Sequence, residues 1–378
     1  MSLNSVFAFK CQEYDDSVRI VLERILDESG LKRELIPGKT VLLKVNLLMG
    51  KDPKYAVTTN PVIVHELILL LEELGMKVIV ADSPGGPLNE AYMRSVYNAC
   101  KMNEAVEGTG AELNYDFSSR EVNLERSSTL KKFELLNAVL DADYVINVAK
   151  LKTHGMMTYT GAVKNLYGAI PGLIKANHHF KLSEKSLFGS HIVDICEYIN
   201  PVFSIIDGIE GMEGNGPSGG DVVKTGIIFG SKSPFALDAY ASNLVGIEEK
   251  LIPTLINSRL RGLIGDYEVI TDVDKDEVKA YKLPDSIDIS FMPNWVPGLI
   301  KKLIIKNMKY RPVFIHNKCV KCKKCEDICP AKIITMNTSG YPIYETEKCI
   351  SCFCCHEVCP YRAIAIKKPL LAKMFSGR

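Results

Sequence analysis

Eight cysteines near the C-terminus have the residue type and the spacing to bind metal. They form two runs of one pattern, in which three cysteines are each separated by two residues and a fourth follows after three more, directly before a proline. Thiolates are soft ligands, and four of them hold one cubane of iron and sulfide, so the pattern predicts two [4Fe–4S] clusters. The runs are Cys319, Cys322, Cys325 and Cys329, and then Cys349, Cys352, Cys355 and Cys359.

The same spacing predicts how the clusters share these cysteines. Three closely spaced cysteines wrap one face of a cluster, and the fourth cysteine of each run reaches the other cluster. Zinc also accepts four thiolates, but typically as two separated pairs, so zinc is the less favoured alternative. The expected ligands are Cys319, Cys322, Cys325 and Cys359 for the first cluster, and Cys349, Cys352, Cys355 and Cys329 for the second.

Four more cysteines lie outside these ligand positions. Cys354 interrupts the second run and is interpreted as a bystander, with an alternate ligand or a redox thiol as the sharper alternative. Cys11, Cys100 and Cys196 lie in apolar segments and are predicted to be core residues. Metal-type cysteine spacing and an N-terminus without the features of a signal peptide favour a cytoplasmic protein.

The elements that must carry this module come earlier in the chain. Strand-like and helix-like segments alternate, which predicts an α/β fold: a largely parallel sheet with helices on both faces. Asn60-Pro61 and Gly75 bracket the clearest helix, over 62–74. The other predicted helices cover 16–29, 89–106, 187–199 and 235–244, and the predicted strands cover 5–10, 40–46, 77–81, 143–149, 202–207 and 222–230.

Charge separates the C-terminal part from the body. Residues 301–378 hold 16 Lys and Arg against 5 Asp and Glu, although the whole chain has a net charge of +1. We interpret part of this basic excess as an offset for anionic clusters, and the total charge gives no indication of nucleic acid. No run approaches the roughly 20 apolar residues of a transmembrane segment. The basic segment 298–311 is interpreted as a linker helix, with a docking or membrane face as the alternative.

Polar side chains cluster at the predicted strand ends. Ligands bind beyond the carboxyl ends of strands in open parallel sheets, and several lysines there would suit a carboxylate or phosphate. A histidine in this set could transfer protons near neutral pH, and the aspartates are candidate acids, bases or metal ligands. The alternative is that each residue only caps a helix or satisfies a turn. The candidate catalytic residues are Lys44, Asp82, Lys150, His154, Lys164 and Asp207.

Two further motifs resemble cofactor or metal sites, but we assign neither a dinucleotide nor a metal to them. Residues 214–219 fit the dinucleotide pattern G-x-G-x-x-G, but a strand pattern follows where a helix is needed, so we predict a glycine-rich loop over the crevice. His178 and His179 could bind metal, but adjacent histidines are more often found on a solvated loop, which is the interpretation we favour.

Two resemblances agree with these interpretations. Residues 313–368 resemble the bacterial two-cluster ferredoxins. KLKTH at 150–154, TGAVKNLYG at 160–168 and DGIEGMEGNGPSGG at 207–220 resemble the domain of unknown function 362 family, which is often fused to such a module. The resemblance implies the fold and the fusion but no substrate. We expect an α/β domain over 1–284, a basic Pro-containing linker over 285–312 and a small α+β two-cluster ferredoxin-like domain over 313–378.

Three functions fit these expectations. The favoured function is an oxidoreductase that takes electrons from a redox partner protein and passes them through two clusters to a small anionic substrate in the α/β crevice. The second is an electron carrier or adaptor without its own catalysis. The third is a non-redox isomerase or racemase with structural clusters.

Overall fold

The structure, a computed structural model, describes residues 5–286 and 310–367. Within these residues, nine strands of the body form one sheet with the order β11-β1-β10-β9-β7-β2-β3-β4, and β8 pairs with β7. These strands are β1 (Val6–Lys10), β2 (Thr40–Lys44), β3 (Lys77–Ala81), β4 (Glu112–Leu113), β7 (Tyr144–His154), β8 (Thr158–Thr160), β9 (Phe203–Glu213), β10 (Asp221–Ser231) and β11 (Val269–Thr271). A separate hairpin joins β5 (Ser119–Asn123) and β6 (Lys132–Leu136).

The central strands of this sheet are parallel. β9, β7, β2, β3 and β4 run in one direction, whereas β10 is antiparallel to both of its neighbours. Strands buried on both faces consist of nearly continuous apolar runs, and β2 and β3 have this composition. The predicted α/β fold with a largely parallel sheet is therefore confirmed, and the carboxyl ends of β2, β3, β7 and β9 share one edge.

Helices cover both faces of the sheet, as predicted. Alternate residues of a strand point to opposite faces, so Val41 and Leu43 join the core beneath α1–α4, and Leu42 joins the core beneath α5–α10. The helices are α1 (Ser17–Glu28), α2 (Pro61–Glu73), α3 (Glu90–Ala99), α4 (Met102–Val106), α5 (Asn137–Asp141), α6 (Ala162–Asn165), α7 (Ile174–Lys181), α8 (Lys185–Ile199), α9 (Pro234–Leu244) and α10 (Pro253–Leu260).

Local sequence explains where α2 begins and where the helix predicted over 89–106 is divided. The Asn60 side chain accepts a hydrogen bond from the Val62 amide, and Pro61 occupies the first turn of α2, as the sequence predicted. The single helix expected over 89–106 is wrong. The chain breaks at Lys101, whose φ of 59° is left-handed, so two helices replace one.

Two strands are longer than the sequence predicted. β7 and β9 continue past residues 149 and 207, so Lys150 and Asp207 lie inside these strands and face each other in register. The expectation that they end their strands is therefore wrong. Their polarity suggested a strand end, but the two side chains satisfy each other as a buried ion pair within the sheet.

Residues 310–367 form a small second unit. β12 (Arg311–Phe314) pairs with β15 (Ile364–Lys367), and β13 (Ile334–Met336) pairs with β14 (Pro342–Tyr344). Two short helices, α11 (Lys324–Asp327) and α12 (Cys354–Glu357), lie within the cysteine runs. The predicted linker over 285–312 and its basic segment lie almost entirely outside the described residues. In the described part of the chain, no helix is long and apolar enough to cross a membrane.

Candidate functional site

The cysteines of the module surround two cavities. One cavity is lined by four cysteines, three from the first run and one from the second, and we call it the first cradle. The other cavity, the second cradle, is lined by the remaining four. The cysteines are Cys319, Cys322, Cys325 and Cys359 in the first cradle, and Cys329, Cys349, Cys352 and Cys355 in the second. Four thiols around a cavity form a donor set that fits a four-iron cluster.

The backbone repeats together with the cysteines. Left-handed residues occur at Lys321, Lys323 and Lys332 in the first half and, each 30 residues later, at Ser351, Phe353 and Arg362 in the second. Their φ values lie between 49° and 63°, a conformation that side chains other than glycine rarely adopt. The same strained turns in both halves indicate that each loop is shaped to wrap a ligand in the same way.

A larger cavity lies between the body and the module, and we call it the central cavity. It encloses about 810 Å³, part of which is open to solvent. Its walls combine polar residues from the carboxyl edge of the sheet, residues of the 160–179 segment, and residues of the module. The residues that matter below are Asn46, Asp82, Ser83, Lys164, Tyr167, Gly168, Lys175, His179, Ile328, Cys354, Glu357 and Val358.

A buried ion pair forms the floor at the ends of β2 and β3. Lys44 Nζ lies 2.6 Å from Asp82 Oδ1, and the side chains are only 1% and 4% exposed. The other oxygen of Asp82 accepts a hydrogen bond from the Leu47 amide at 2.5 Å. Burial lowers the pKa of Lys44, and the Asp82 carboxylate opposes that shift. Gly168 packs directly on this pair, because a β-carbon there would collide with both side chains.

Lys164 differs from Lys44 because it has no partner. It lies on α6, which is fixed in place because Asp238 accepts hydrogen bonds from the Ala162 and Val163 amides at 2.6 and 2.9 Å. No hydrogen bond or ion pair joins the Lys164 ammonium to any described residue, and its side chain lines the central cavity. Burial lowers the pKa of Lys164, against the effect of Glu357 and Cys354. An unpaired ammonium in a cavity is suited to bind an anion.

Lys175 and His179 project from α7 into the same cavity. Lys175 Nζ donates a hydrogen bond to the Ser83 carbonyl, and burial lowers the pKa of Lys175 to about 7. The His179 ring stacks on Phe188 at 4.2 Å, and its Nδ1 atom is buried without a hydrogen-bond partner. Burial lowers the pKa of His179 to about 3, so the ring is neutral. The expected solvated loop for His178 and His179 is wrong, since both are buried on a helix.

The module supplies the opposite wall of the central cavity. The Cys354 side chain packs with Cys352 of the second cradle and also lines the cavity. Glu357 Oε1 lies 3.3 Å from His154 Nε2 on β7. Burial raises the pKa of Glu357 to about 7 and lowers that of His154 well below its usual value. His154 is fully buried and does not line the cavity.

Further contacts hold the module against the body. Lys51 Nζ donates to the Pro360 carbonyl at 2.9 Å, and Arg362 donates to the Gly220 carbonyl at 2.8 Å. Ser218 Oγ donates to the Glu357 carbonyl at 2.9 Å. The loop over 214–220 therefore packs on the module, and the strand β10 follows it, as the sequence predicted. None of its residues lines the central cavity, so the predicted position over the crevice is wrong.

The structure brings some of the six candidate residues together and separates others. Asp82 and Lys164 line the central cavity, and Lys44 lies directly behind Asp82. Lys150 and Asp207 pair at 2.8 Å and do not line it. Asp207 also accepts hydrogen bonds from Tyr14 at 2.9 Å and from the Asn60 amide at 3.0 Å, so it ties α2 to the sheet.

Sequence reasoning missed Lys175, Tyr167 and the residues of the module. One signal for Cys354 and Glu357 is present in the repeat, since the equivalent positions of the first run hold Lys324 and Asp327. A lysine at one position of the repeat and a cysteine at the equivalent position indicate that the two side chains have different surroundings. No comparable signal marks Lys175, because only the fold places its helix beside Asp82.

Known protein families match both parts of the chain. A 4Fe-4S dicluster domain matches residues 318–363, and the family described as "Domain of unknown function (DUF362)" matches residues 41–243. The site and the first match define an iron–sulfur protein. The chain belongs to the DUF362 family, which confirms the resemblance seen in its motifs.

Two named proteins are similar to this chain. The thylakoid-associated protein sll1697 of Synechocystis sp. (strain ATCC 27184 / PCC 6803 / Kazusa) is 33% identical over 273 residues, which cover 69% of this chain and 80% of that protein. The lactate racemase apoprotein from Thermoanaerobacterium thermosaccharolyticum aligns with a TM-score of 0.39 and 14% identity, over 63% of this chain and 56% of the racemase. This chain thus spans just over half of the length of the racemase.

Proposed function

We propose that this protein is an oxidoreductase that delivers electrons from its iron–sulfur module to a small anionic substrate in the central cavity. The observation that carries the proposal is that the module itself closes this cavity. Ile328 and Cys354 line the same space as Lys164 and Lys175. Because Ile328 precedes Cys329 and Cys354 precedes Cys355, the second cradle borders the substrate space.

The eight cysteines would hold two [4Fe–4S] clusters with the crossed ligation predicted from the sequence. When bound, the clusters supply electrons one at a time. The two cradles could therefore provide the pair of electrons that the reduction of a closed-shell organic substrate needs, and a redox partner protein would replace them.

Residues of the body would bind the substrate and supply protons. The free ammonium of Lys164 is placed to bind a carboxylate or phosphate group through charge-assisted hydrogen bonds. Lys175 Nζ can give up a proton near neutral pH, since its pKa lies at about 7. The Lys44–Asp82 pair keeps the floor rigid, because both partners are buried and satisfied.

A two-stage experiment tests this proposal. Inorganic phosphate and a series of mono- and dicarboxylates are first screened for thermal stabilisation of the anaerobic, iron-loaded protein. Each binding anion is then added to the dithionite-reduced protein after excess reductant is removed, and the visible absorbance is followed. A substrate restores the oxidised absorbance in the wild type and fails to do so in Lys164→Met.

Two other outcomes would each favour a different function. An anion that is converted while the module keeps its electrons would contradict the proposal and support a non-redox isomerase. Failure of every anion to bind would leave the module as an electron carrier without its own catalysis.

A further inference from the structure

The two halves of the module repeat in backbone but differ in charge and exposure. Between the first three cysteines of each run, three loop positions are lysines in the first half, and all four are uncharged in the second half. Phe353 and Cys354 are buried, whereas their counterparts Lys323 and Lys324 are exposed. The equivalent pairs are Lys321 and Ser351, Lys323 and Phe353, and Lys324 and Cys354. The difference follows the surroundings, since the second cradle borders the body.

The exposed half presents its cradle to solvent. Cys322 is exposed, and the neighbouring Val320 and Tyr361 are each 52% exposed. Apolar side chains at the centre and charged side chains at the rim are the usual anatomy of a protein–protein interface. We call this surface, formed by Val320, Lys321, Cys322, Lys323, Lys324 and Tyr361, the first-cradle face.

The lysines of the first-cradle face form no ion pair with the described residues of the module, although Glu326 and Asp327 follow them in the same run. Ion pairs within the module join Arg311 to Glu347 and Lys348 to Glu345, and none within the described residues involves Lys321, Lys323 or Lys324. Lys321 Nζ instead lies 4.4 Å from the centre of the Tyr341 ring. Unpaired lysines around an exposed cradle create a positive potential that attracts an acidic surface.

We propose that the first-cradle face docks an acidic protein that carries one electron at a time. Cys319, Cys322, Cys325 and Cys359 would hold the cluster that takes one electron from this partner. The partner would be oxidised by one electron and the cluster reduced by one, and no bond or proton would change place. The second cradle, which the body covers, would then pass the electron to the central cavity. Electrons would therefore enter the module at the first cradle and leave it at the second. The docking does not depend on which molecule the central cavity binds.

Equilibrium binding to the anaerobic, iron-loaded full chain tests this proposal. The probe is a flavodoxin, a small acidic protein that carries single electrons on flavin mononucleotide, and a basic cytochrome c serves as the opposite probe. The test variant is Lys323→Glu/Lys324→Glu, and Lys323→Gln/Lys324→Gln removes the charge without reversing it. The control Lys39→Glu/Lys77→Glu makes the same charge change at the amino ends of β2 and β3, the opposite edge of the sheet.

The expected result is a Kd for flavodoxin that rises about tenfold or more in the glutamate variant at low ionic strength, and by less in the glutamine variant. The control should keep the wild-type Kd, and added salt should weaken the wild-type complex. Iron content and circular dichroism establish that the variants are folded and loaded. Equal flavodoxin affinity in all variants, no flavodoxin binding to the wild type, or tighter binding of cytochrome c would overturn the proposal.

Discussion

Replacing Lys164 should weaken anion binding without weakening the fold. Its ammonium lines the central cavity and has no partner among the described residues, so the apo protein gains no ion pair from it. Burial disfavours its charged form, which is the reason its pKa is lowered. Lys164→Met removes a half-buried charge that has no ion-pair partner among the described residues, and it keeps most of the side-chain volume. The free energy of unfolding should therefore stay the same or increase.

Lys164→Met should instead lower the affinity for the anion. A hydrogen bond to a charged group contributes about 1.5–3 kcal/mol. Since 1.4 kcal/mol is a factor of ten, the Kd for a bound carboxylate or phosphate should rise about 10- to 150-fold. Isothermal titration calorimetry measures this change, and anaerobic urea unfolding of the same samples measures stability.

Lys150→Met is the matched control for this experiment. Lys150 is 1% exposed and pairs with the fully buried Asp207, so its loss leaves an uncompensated carboxylate. Breaking such a pair costs about 3–5 kcal/mol. The reasoning would be refuted if Lys164→Met destabilised the fold as strongly as Lys150→Met while anion affinity stayed at its wild-type value.

Three further predictions address single features of the site. Anion affinity should fall as pH rises through about 7, because Lys175 loses its charge there, and calorimetry between pH 6 and 9 would reveal a flat profile if this is wrong. Gly168→Ala should cost about 1–3 kcal/mol in urea unfolding by displacing the Lys44–Asp82 pair, whereas Gly85→Ala, with open space, should cost little. Cys354→Ala should keep about eight irons and shift the potential of one cluster in an EPR redox titration, since the buried side chain that packs with Cys352 becomes smaller. Loss of about four irons would instead make Cys354 a ligand.

The sequence predicted the fold where local chemistry decides the structure. Asn60 and Pro61 start α2 as expected, because capping depends only on neighbouring residues. The cysteine runs likewise predicted two shared cradles, and the same eight cysteines line two cavities in that crossed arrangement. The assignment of ligands to clusters stays a prediction until metal is analysed.

The features that the sequence did not predict depend on packing between residues far apart in the chain. Lys150 and Asp207 looked like strand ends because isolated charges rarely lie inside a central strand, but strand pairing places them opposite each other. The part of the central cavity that the module forms could not be predicted. No local sequence pattern indicates that residues 328 and 354–358 lie opposite residues 164–179. The sequence placed Lys164 with Lys44 among the lysines at predicted strand ends, and only the structure shows that Lys164 has no ion-pair partner among the described residues.

The second cradle, and not the first, should border the bound anion. EPR of two dithionite-reduced variants tests it most directly: Cys325→Ala removes a ligand of the first cradle, and Cys355→Ala removes its counterpart in the second. Each spectrum is recorded with and without the tightest-binding anion of the phosphate and carboxylate series. The anion should shift the signal that remains in Cys325→Ala and leave the signal in Cys355→Ala unchanged. A shift only in Cys355→Ala, or zinc in place of iron in the wild type, would contradict this position of the anion.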